Sequence, residues 1–66
     1  MVKNKLKEIL KSKGTKQTWL CEQTEITAST MSNIINNRYS TSMEVGFKIA
    51  KVLNMTITDI FYYEED

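Results

Sequence analysis

A predicted helix between Thr27 and Asn37 carries small uncharged polar side chains on the face where surface helices usually carry Glu, Lys and Arg. These side chains belong to Ser29, Ser32, Asn33 and Asn36. Hydroxyl and amide groups donate and accept hydrogen bonds without gaining or losing a proton near neutral pH. The pattern therefore indicates recognition of polar groups on a partner. The alternative interpretation is a polar face without a function.

The rest of the sequence offers little for catalysis or metal binding. The 66 residues include no histidine and one cysteine, Cys21, so neither a metal site nor a disulfide framework is expected. We expect no enzymatic activity, no cofactor and no small-molecule ligand. The longest apolar runs are a few residues, which predicts no membrane span, and Met1 to Asn4 lack a signal-peptide core. The expected compartment is the cytoplasm.

Charge is distributed unevenly along the chain although the net charge is only +1. Residues 1–51 contain all nine Lys and Arg with four acids, whereas residues 52–66 contain four acids and no base. A basic body with an acidic end is the asymmetry expected of a small chain that meets a polyanion. An ordinary solvated surface with a frayed acidic end explains the same distribution.

Apolar residues at helical spacing predict five short helices and an all-α fold, with residues 1–66 forming one domain. Hydroxyl residues that can cap helix starts precede four of them, at Thr15, Thr27, Ser42 and Thr56. The predicted buried sides consist of Val2, Leu6, Ile9 and Leu10 in the first helix, Trp19, Leu20 and Cys21 in the second, and Met31, Ile34 and Ile35 in the third. Gly14 is the expected stop of the first helix.

The fourth predicted helix, from Ser42 to about Asn54, is apolar over more than half of its circumference. Such a helix is expected to be buried on two sides, either as the central core helix or at a subunit contact, and Phe47 is expected in the core. Thr56 and Asp59 have the spacing of a capping box that opens a short fifth helix. Residues 61–66 are expected either to fray or to form a short strand.

Residues 17–36 predict two helices that are separated by only three residues and therefore cross at a steep angle. Leu20 and Cys21 supply the contact on the first helix, Ile26 fills the turn, and Met31 points inward from the second. This pattern resembles the helix-turn-helix unit of the Cro/repressor-type (XRE) family of small DNA-binding domains, which have a lambda-repressor-like fold. The resemblance covers nearly the whole chain, through the segments ITASTMSNII and SMEVGFKIAKVLNMTITDIF.

The chain departs from the family pattern at four positions in and near this unit. Glu25 stands in the turn where the family usually has glycine, and a positive φ at that residue costs on the order of 1 kcal/mol. Ile35 replaces a frequent glutamate, Thr41 replaces a frequent proline, and Thr24 occupies a position that is more often apolar. The turn is therefore expected either to differ slightly from that of the family or to be mildly strained.

The resemblance also implies which residues contact DNA. The implied base contacts are Ala28, Ser29, Ser32 and Asn33, and the implied phosphate contacts are Gln17, Thr27, Asn36, Arg38 and Tyr39. Short side chains with hydrogen-bonding ends suit a helix in the major groove, where Asn33 can pair with N6 and N7 of adenine. Because this face has no Arg, Lys or Gln, direct base recognition should be modest, and DNA shape should contribute to specificity.

The family works as two-fold dimers, which implies a second surface in residues 55–66. The expected interface residues are Ile57, Ile60, Phe61, Tyr62 and Tyr63, together with the second apolar side of the fourth helix. Three consecutive aromatic residues are costly to expose in a small monomer. Alternatively, Phe61 completes the core while both tyrosines lie on the surface.

The predicted function is therefore a dimeric transcriptional repressor of phage or mobile-element type that occupies a two-fold symmetric operator in double-stranded DNA. An activator remains open, because Glu44 and the acidic end could contact polymerase. The alternative class is a protein-interaction module, similar to an antirepressor or an antitoxin, on the same scaffold. Glu25 and the low net charge favour that alternative.

Overall fold

The computed structural model describes residues 1–65, which form five helices and a two-stranded sheet. The elements are β1 (Val2–Asn4), α1 (Leu6–Lys13), α2 (Gln17–Thr24), α3 (Ala28–Ile35), α4 (Met43–Leu53), α5 (Ile57–Ile60) and β2 (Phe61–Tyr63). The five predicted helices and the short C-terminal strand are confirmed. None of the helices in the described part of the chain is long and apolar enough to cross a lipid bilayer.

The N-terminal residues form a strand, contrary to the prediction that Val2 lies on the buried side of the first helix. Strand β1 pairs antiparallel with β2, with Val2 opposite Tyr63 and Asn4 opposite Phe61. Helix α1 begins only at Leu6. The partner strand lies at the other end of the chain, so the local spacing of apolar residues could not indicate this pairing.

The core contains residues from every helix and from β2. Its buried apolar members are Leu6, Leu10, Leu20, Met31, Ile34, Ile35, Ile49, Ala50, Leu53, Ile60 and Phe61. Trp19 and Phe47 were expected in this core but are 41% and 53% exposed. Each lies beside the stripe that its helix buries, since consecutive helical residues are about 100° apart around the axis. Within the single chain, helix α4 is accordingly buried on one side, and burial of its second side at a subunit contact stays a prediction.

Hydroxyl and carboxylate side chains begin three of the helices as predicted. The hydroxyl of Thr27 accepts a hydrogen bond from the Thr30 N–H at 3.2 Å, and that of Ser42 accepts one from the Val45 N–H at 3.3 Å. Thr56 opens α5 with the expected capping box. Helix α2 differs, because it begins at Gln17 after Lys16, with no side-chain cap.

Thr15 does not cap α2 because it belongs to the exit of α1. Its backbone N–H donates to the carbonyl oxygen of Leu10 at 2.9 Å, around the left-handed Gly14 at φ 65°. Gly14 thus ends α1 as predicted, since glycine adopts this conformation without a steric cost.

Candidate nucleic-acid interface

The turn between α2 and α3 has the geometry of a helix-turn-helix unit. Glu25 adopts a left-handed conformation, with φ 59° and ψ 30°, and its N–H donates to the carbonyl oxygen of Cys21. The N–H of Ile26 donates to the same oxygen at 3.2 Å. Leu20 and Met31 are fully buried where the two helices meet. Of the two outcomes expected for this turn, a positive φ at Glu25 is the one observed.

The outward face of α3 brings the four predicted base-contact residues together. Ala28 and Ser29 are exposed in the first turn, and Ser32 and Asn33 are half-buried one turn further on. The opposite side of the helix is buried in the core through Met31, Ile34 and Ile35. A helix with short outer side chains can approach another surface closely. Whether these side chains touch bases remains a prediction.

Helix α3 ends in a left-handed residue that folds the chain back over its last turn. Asn37 has φ 56°, and its N–H donates to the carbonyl oxygen of Ile34 at 3.0 Å. The N–H of Arg38 donates to the carbonyl oxygen of Asn33 at 3.0 Å. This pair of bonds is a Schellman motif. The guanidinium Nη1 of Arg38 also donates to Oδ1 of Asn33 at 2.9 Å, which joins a predicted phosphate contact to a predicted base contact.

Asn36 and Lys7 meet at the same end of α3. The amide nitrogen of Asn36 donates to the carbonyl oxygen of Ser32 at 2.8 Å, and its Oδ1 accepts from Nζ of Lys7 at 3.1 Å. Lys7 therefore places a positive charge beside α3, although its sequence position indicates only a solvated face of α1. The two residues are 29 positions apart, so no local signal could identify Lys7 as a site residue.

The predicted phosphate contacts at the helix starts lie in positions that can receive an anion. Gln17 is the exposed first residue of α2, and Thr27 is the cap of α3. The first turns of α1, α4 and α5 each contain an acid, whereas those of α2 and α3 contain none. Because the start of a helix carries partial positive charge, uncompensated starts favour phosphate. Tyr39, 43% exposed, lies in the loop after α3.

Strand β1 fixes the loop that follows α3. Asn4 is only 5% exposed, and its backbone N–H donates to Oδ1 of Asn37 at 2.9 Å. Its Nδ2 donates to the carbonyl oxygen of Ile34 at 2.7 Å, and its Oδ1 accepts from the Leu6 N–H at 3.0 Å. Sequence reasoning gave Asn4 no role, because its partners in and after α3 are distant along the chain.

The basic residues of the chain lie outside the helix-turn-helix unit. Residues 17–36 contain no Lys or Arg and two acids, Glu22 and Glu25. Two lysines of the N-terminal segment contact residues of the C-terminal segment. Nζ of Lys3 lies 3.0 Å from Oε1 of Glu64, and Nζ of Lys5 lies 5.9 Å from the centre of the Tyr62 ring. Glu64 is therefore held against the sheet.

The residues predicted for the dimer interface divide into buried and exposed sets. Ile60 is fully buried and Phe61 is 8% exposed, so both complete the core of the single chain and offer almost no side-chain surface to a second one. Ile57 is half-buried, whereas Tyr62 and Tyr63 are 41% and 70% exposed. The interface itself stays a prediction, and its exposed aromatic part consists of the two tyrosines.

An apolar groove of about 240 Å³ lies beside these tyrosines. Its lining residues are Val2, Thr41, Ser42, Met43, Gly46, Ile57, Thr58, Phe61, Tyr62 and Tyr63. Met43 is 72% exposed at its border. A Cβ on Gly46 would lie 3.3 Å from Cδ1 of Ile57, so the absence of a side chain lets α4 and α5 pack closely.

Known proteins resemble the chain in sequence and in structure. Residues 5–66 match the family model of the Cro/C1-type HTH (helix-turn-helix) DNA-binding domain. An uncharacterized HTH-type transcriptional regulator of Methanocaldococcus jannaschii is 35% identical over 65 residues, and one of Bacillus subtilis is 34% identical over 65 residues. In each case the match covers 98% of both chains. The crystal structure of a proposed DNA-binding protein from Bacteroides fragilis superposes with a TM-score of 0.82 at 27% identity, over 94% of this chain and all of that one.

Proposed function

Because this chain belongs to the family of Cro/C1-type helix-turn-helix DNA-binding domains, we propose that it is a dimeric transcriptional repressor that occupies a two-fold symmetric operator in double-stranded DNA. The observation that carries the proposal is the outward face of α3. Small uncharged donors and acceptors cover this face, while the opposite face is buried. Such a helix fits the major groove, where base edges display a distinct pattern of donors and acceptors.

Base recognition in this proposal centres on Asn33. Its amide accepts from N6 and donates to N7 of adenine, a bidentate contact that contributes about 1–3 kcal/mol of discrimination. Ser29 and Ser32 hydrogen-bond neighbouring base edges, and the methyl group of Ala28 contacts a thymine methyl group. The short side chains let the α3 backbone lie close to the groove floor.

Phosphate contacts set the position of α3 without reading sequence. In the proposal, Gln17 and Thr27 bind phosphates together with the N–H groups at the starts of α2 and α3. At the other end of α3, Lys7 and Arg38 supply positive charge, with Asn36 and Tyr39 as further hydrogen-bonding groups. The bound DNA thus lies across both helix starts and the loop after α3. We propose the cytoplasm as the compartment in which the protein meets this DNA.

Two copies are needed because one chain presents one α3. In a two-fold dimer the two recognition helices lie roughly 34 Å apart and enter successive major grooves on one side of the duplex. The exposed apolar side chains of Met43, Tyr62 and Tyr63 support pairing through the groove side of the molecule. A dimer on its operator blocks polymerase by occupancy, so no further domain is required for repression.

A protein-interaction module is the second candidate. It is favoured by the absence of Lys and Arg from residues 17–36 and by the two acids there, Glu22 and Glu25. A partner protein would bind with little dependence on salt. DNA binding instead releases counterions, so the affinity falls steeply as the salt concentration rises.

Selection of bound fragments from a random duplex pool, followed by titration of the best fragment at several salt concentrations, distinguishes the two candidates. We expect a two-fold symmetric site whose logarithmic affinity falls linearly with the logarithm of the salt concentration. Asn33→Ala should relax one position in each half-site. The matched control is Asn54→Gly, which removes an exposed amide at the end of α4 while glycine keeps the left-handed backbone at φ 55°. If no fragment is enriched, the result favours the protein-interaction module over the DNA-binding repressor.

A further inference from the structure

We propose that Arg38 is a positioning residue that fixes the amide of Asn33 and thereby sets the base preference of α3. The inference rests on the proposed function, since it requires that Asn33 faces a base edge. The family resemblance implies only a phosphate contact for Arg38. The hydrogen bond of 2.9 Å between its guanidinium and Oδ1 of Asn33 points to the second role.

The end of α3 brings these two residues together through its backbone. In a Schellman motif the residue two positions beyond the cap lies against the third residue from the helix end, and the two side chains usually form an apolar contact. Arg38 and Asn33 occupy these positions, with their backbone groups 3.0 Å apart. Here the apolar contact is replaced by a polar one. Arg38 is exposed, and the fold of the loop is what keeps its side chain within reach of Asn33.

The loop itself is anchored in the interior. The left-handed Asn37 precedes Arg38, and Oδ1 of Asn37 accepts from both the backbone N–H and Nδ2 of Asn4, at 2.9 and 3.1 Å. Asn4 is 5% exposed and is bound in turn to Ile34 and Leu6. The backbone of Arg38 thus has a fixed starting point, from which its side chain reaches Asn33.

The chemistry of the contact determines the orientation of the amide. A guanidinium group can only donate, so it must face the oxygen of Asn33 and not the NH₂ group. An asparagine without such a partner exchanges the two ends of its amide, because rotation about χ2 is broad and roughly two-fold. Pairing with adenine needs the oxygen toward N6 and the NH₂ toward N7, and the exchanged orientation would place donor against donor. The oxygen has two lone pairs, so it can accept from Arg38 and from N6 together.

The test measures affinities for four duplexes that carry each base pair in turn at the Asn33 position of the selected site. The variants are Arg38→Met, Asn33→Ala and the double variant. A phosphate contact alone predicts that Arg38→Met weakens all four duplexes equally and lowers the salt slope by about 1. A positioning role predicts that Arg38→Met also lowers the preference for adenine, by about twofold when the freed amide populates its two orientations equally. That additional loss should be absent in the Asn33→Ala background, where no amide remains to be positioned.

The matched control is Lys7→Met, which removes another positive charge from the same end of α3. Lys7 contacts Asn36 rather than Asn33, so its removal should weaken the four duplexes uniformly. An unchanged adenine preference in Arg38→Met, or the same loss in both backgrounds, would overturn the inference while leaving the proposed function intact. A wild-type chain that prefers no base at any position would refute the proposed function, and this inference with it.

Discussion

Two residues near the candidate nucleic-acid interface occupy environments that their side chains do not favour. Glu25 is left-handed at φ 59°, where a side chain with a Cβ meets the backbone and glycine does not. Thr41 is 8% exposed, and its hydroxyl oxygen has no hydrogen-bond partner among residues 1–65. In the family that the sequence resembles, glycine and proline are frequent at these two positions. Both residues therefore reduce stability in a chain of this size.

Glu25→Gly should raise the free energy of unfolding by about 1 kcal/mol, measured by urea denaturation. The left-handed conformation costs roughly 1–2 kcal/mol for a residue with a Cβ, and the extra chain entropy of glycine returns part of the gain. Asn54→Gly is the control, because asparagine tolerates the same backbone conformation better. Equal gains from the two substitutions would show that Glu25 carries no particular strain.

Thr41→Val should also raise the free energy of unfolding, by about 1 kcal/mol, because valine keeps the shape and removes an unpaired buried hydroxyl. The matched position is Thr24, 1% exposed, whose hydroxyl donates to the carbonyl oxygen of Leu20 at 2.7 Å. Thr24→Val loses that bond and should bring no gain. If Thr41→Val destabilises the chain as much as Thr24→Val does, the Thr41 hydroxyl has a partner in solution.

At the scale of elements, the helices and the short C-terminal strand were predictable, and strand β1 was not. Residues three and four positions apart define a helix face, so the buried sides of α1 and α3 follow from local sequence, and the outward face of α3 follows from the same pattern. Strand β1 depends on Asn4 and its contact with Asn37, which is 33 positions away. The contacts of Arg38 with Asn33 and of Lys7 with Asn36 depend on how the loop folds back. The composition of the chain and the spacing of its residues therefore do not predict these contacts.

Asn4→Ala tests how strongly β1 holds the loop after α3. The substitution removes the Nδ2 bonds to Ile34 and Asn37 and leaves the buried Leu6 N–H without its acceptor, which should lower the free energy of unfolding by about 2–3 kcal/mol. Ser40→Ala is the control, because it removes one exposed bond, to the Val2 N–H at 3.0 Å. Its effect should stay below about 1 kcal/mol. A loss as small as that of the control would mean that β1 contributes little to the loop.

At the scale of the whole molecule, the N-terminal and C-terminal segments pack together, and an apolar groove lies beside them. The sheet joins residues 2–4 to residues 61–63, and the Lys3–Glu64 ion pair continues that contact. The groove between α4, α5 and β2 is the surface proposed for the second copy. Ile60 and Phe61 are buried, so the exposed apolar side chains of this groove are those of Met43, Tyr62 and Tyr63.

Tyr63→Glu should therefore weaken dimerisation by at least tenfold, because it places a charge in an apolar contact. Sedimentation equilibrium measures the dissociation constant of the dimer directly. Trp19→Glu is the control, since Trp19 is an exposed aromatic residue on α2 outside the groove. Equal dimer affinities for the two variants would assign the second copy to a different surface.

The most direct test of whether α3 reads base edges in the major groove replaces a single atom of the DNA. In the selected operator, 7-deazaadenine at the position of Asn33 removes N7 while leaving Watson–Crick pairing intact. We predict that the substitution weakens binding of the wild-type chain by about tenfold and leaves binding of Asn33→Ala unchanged. Equal binding of the wild-type chain to both duplexes, at every adenine of the half-site, would contradict the account.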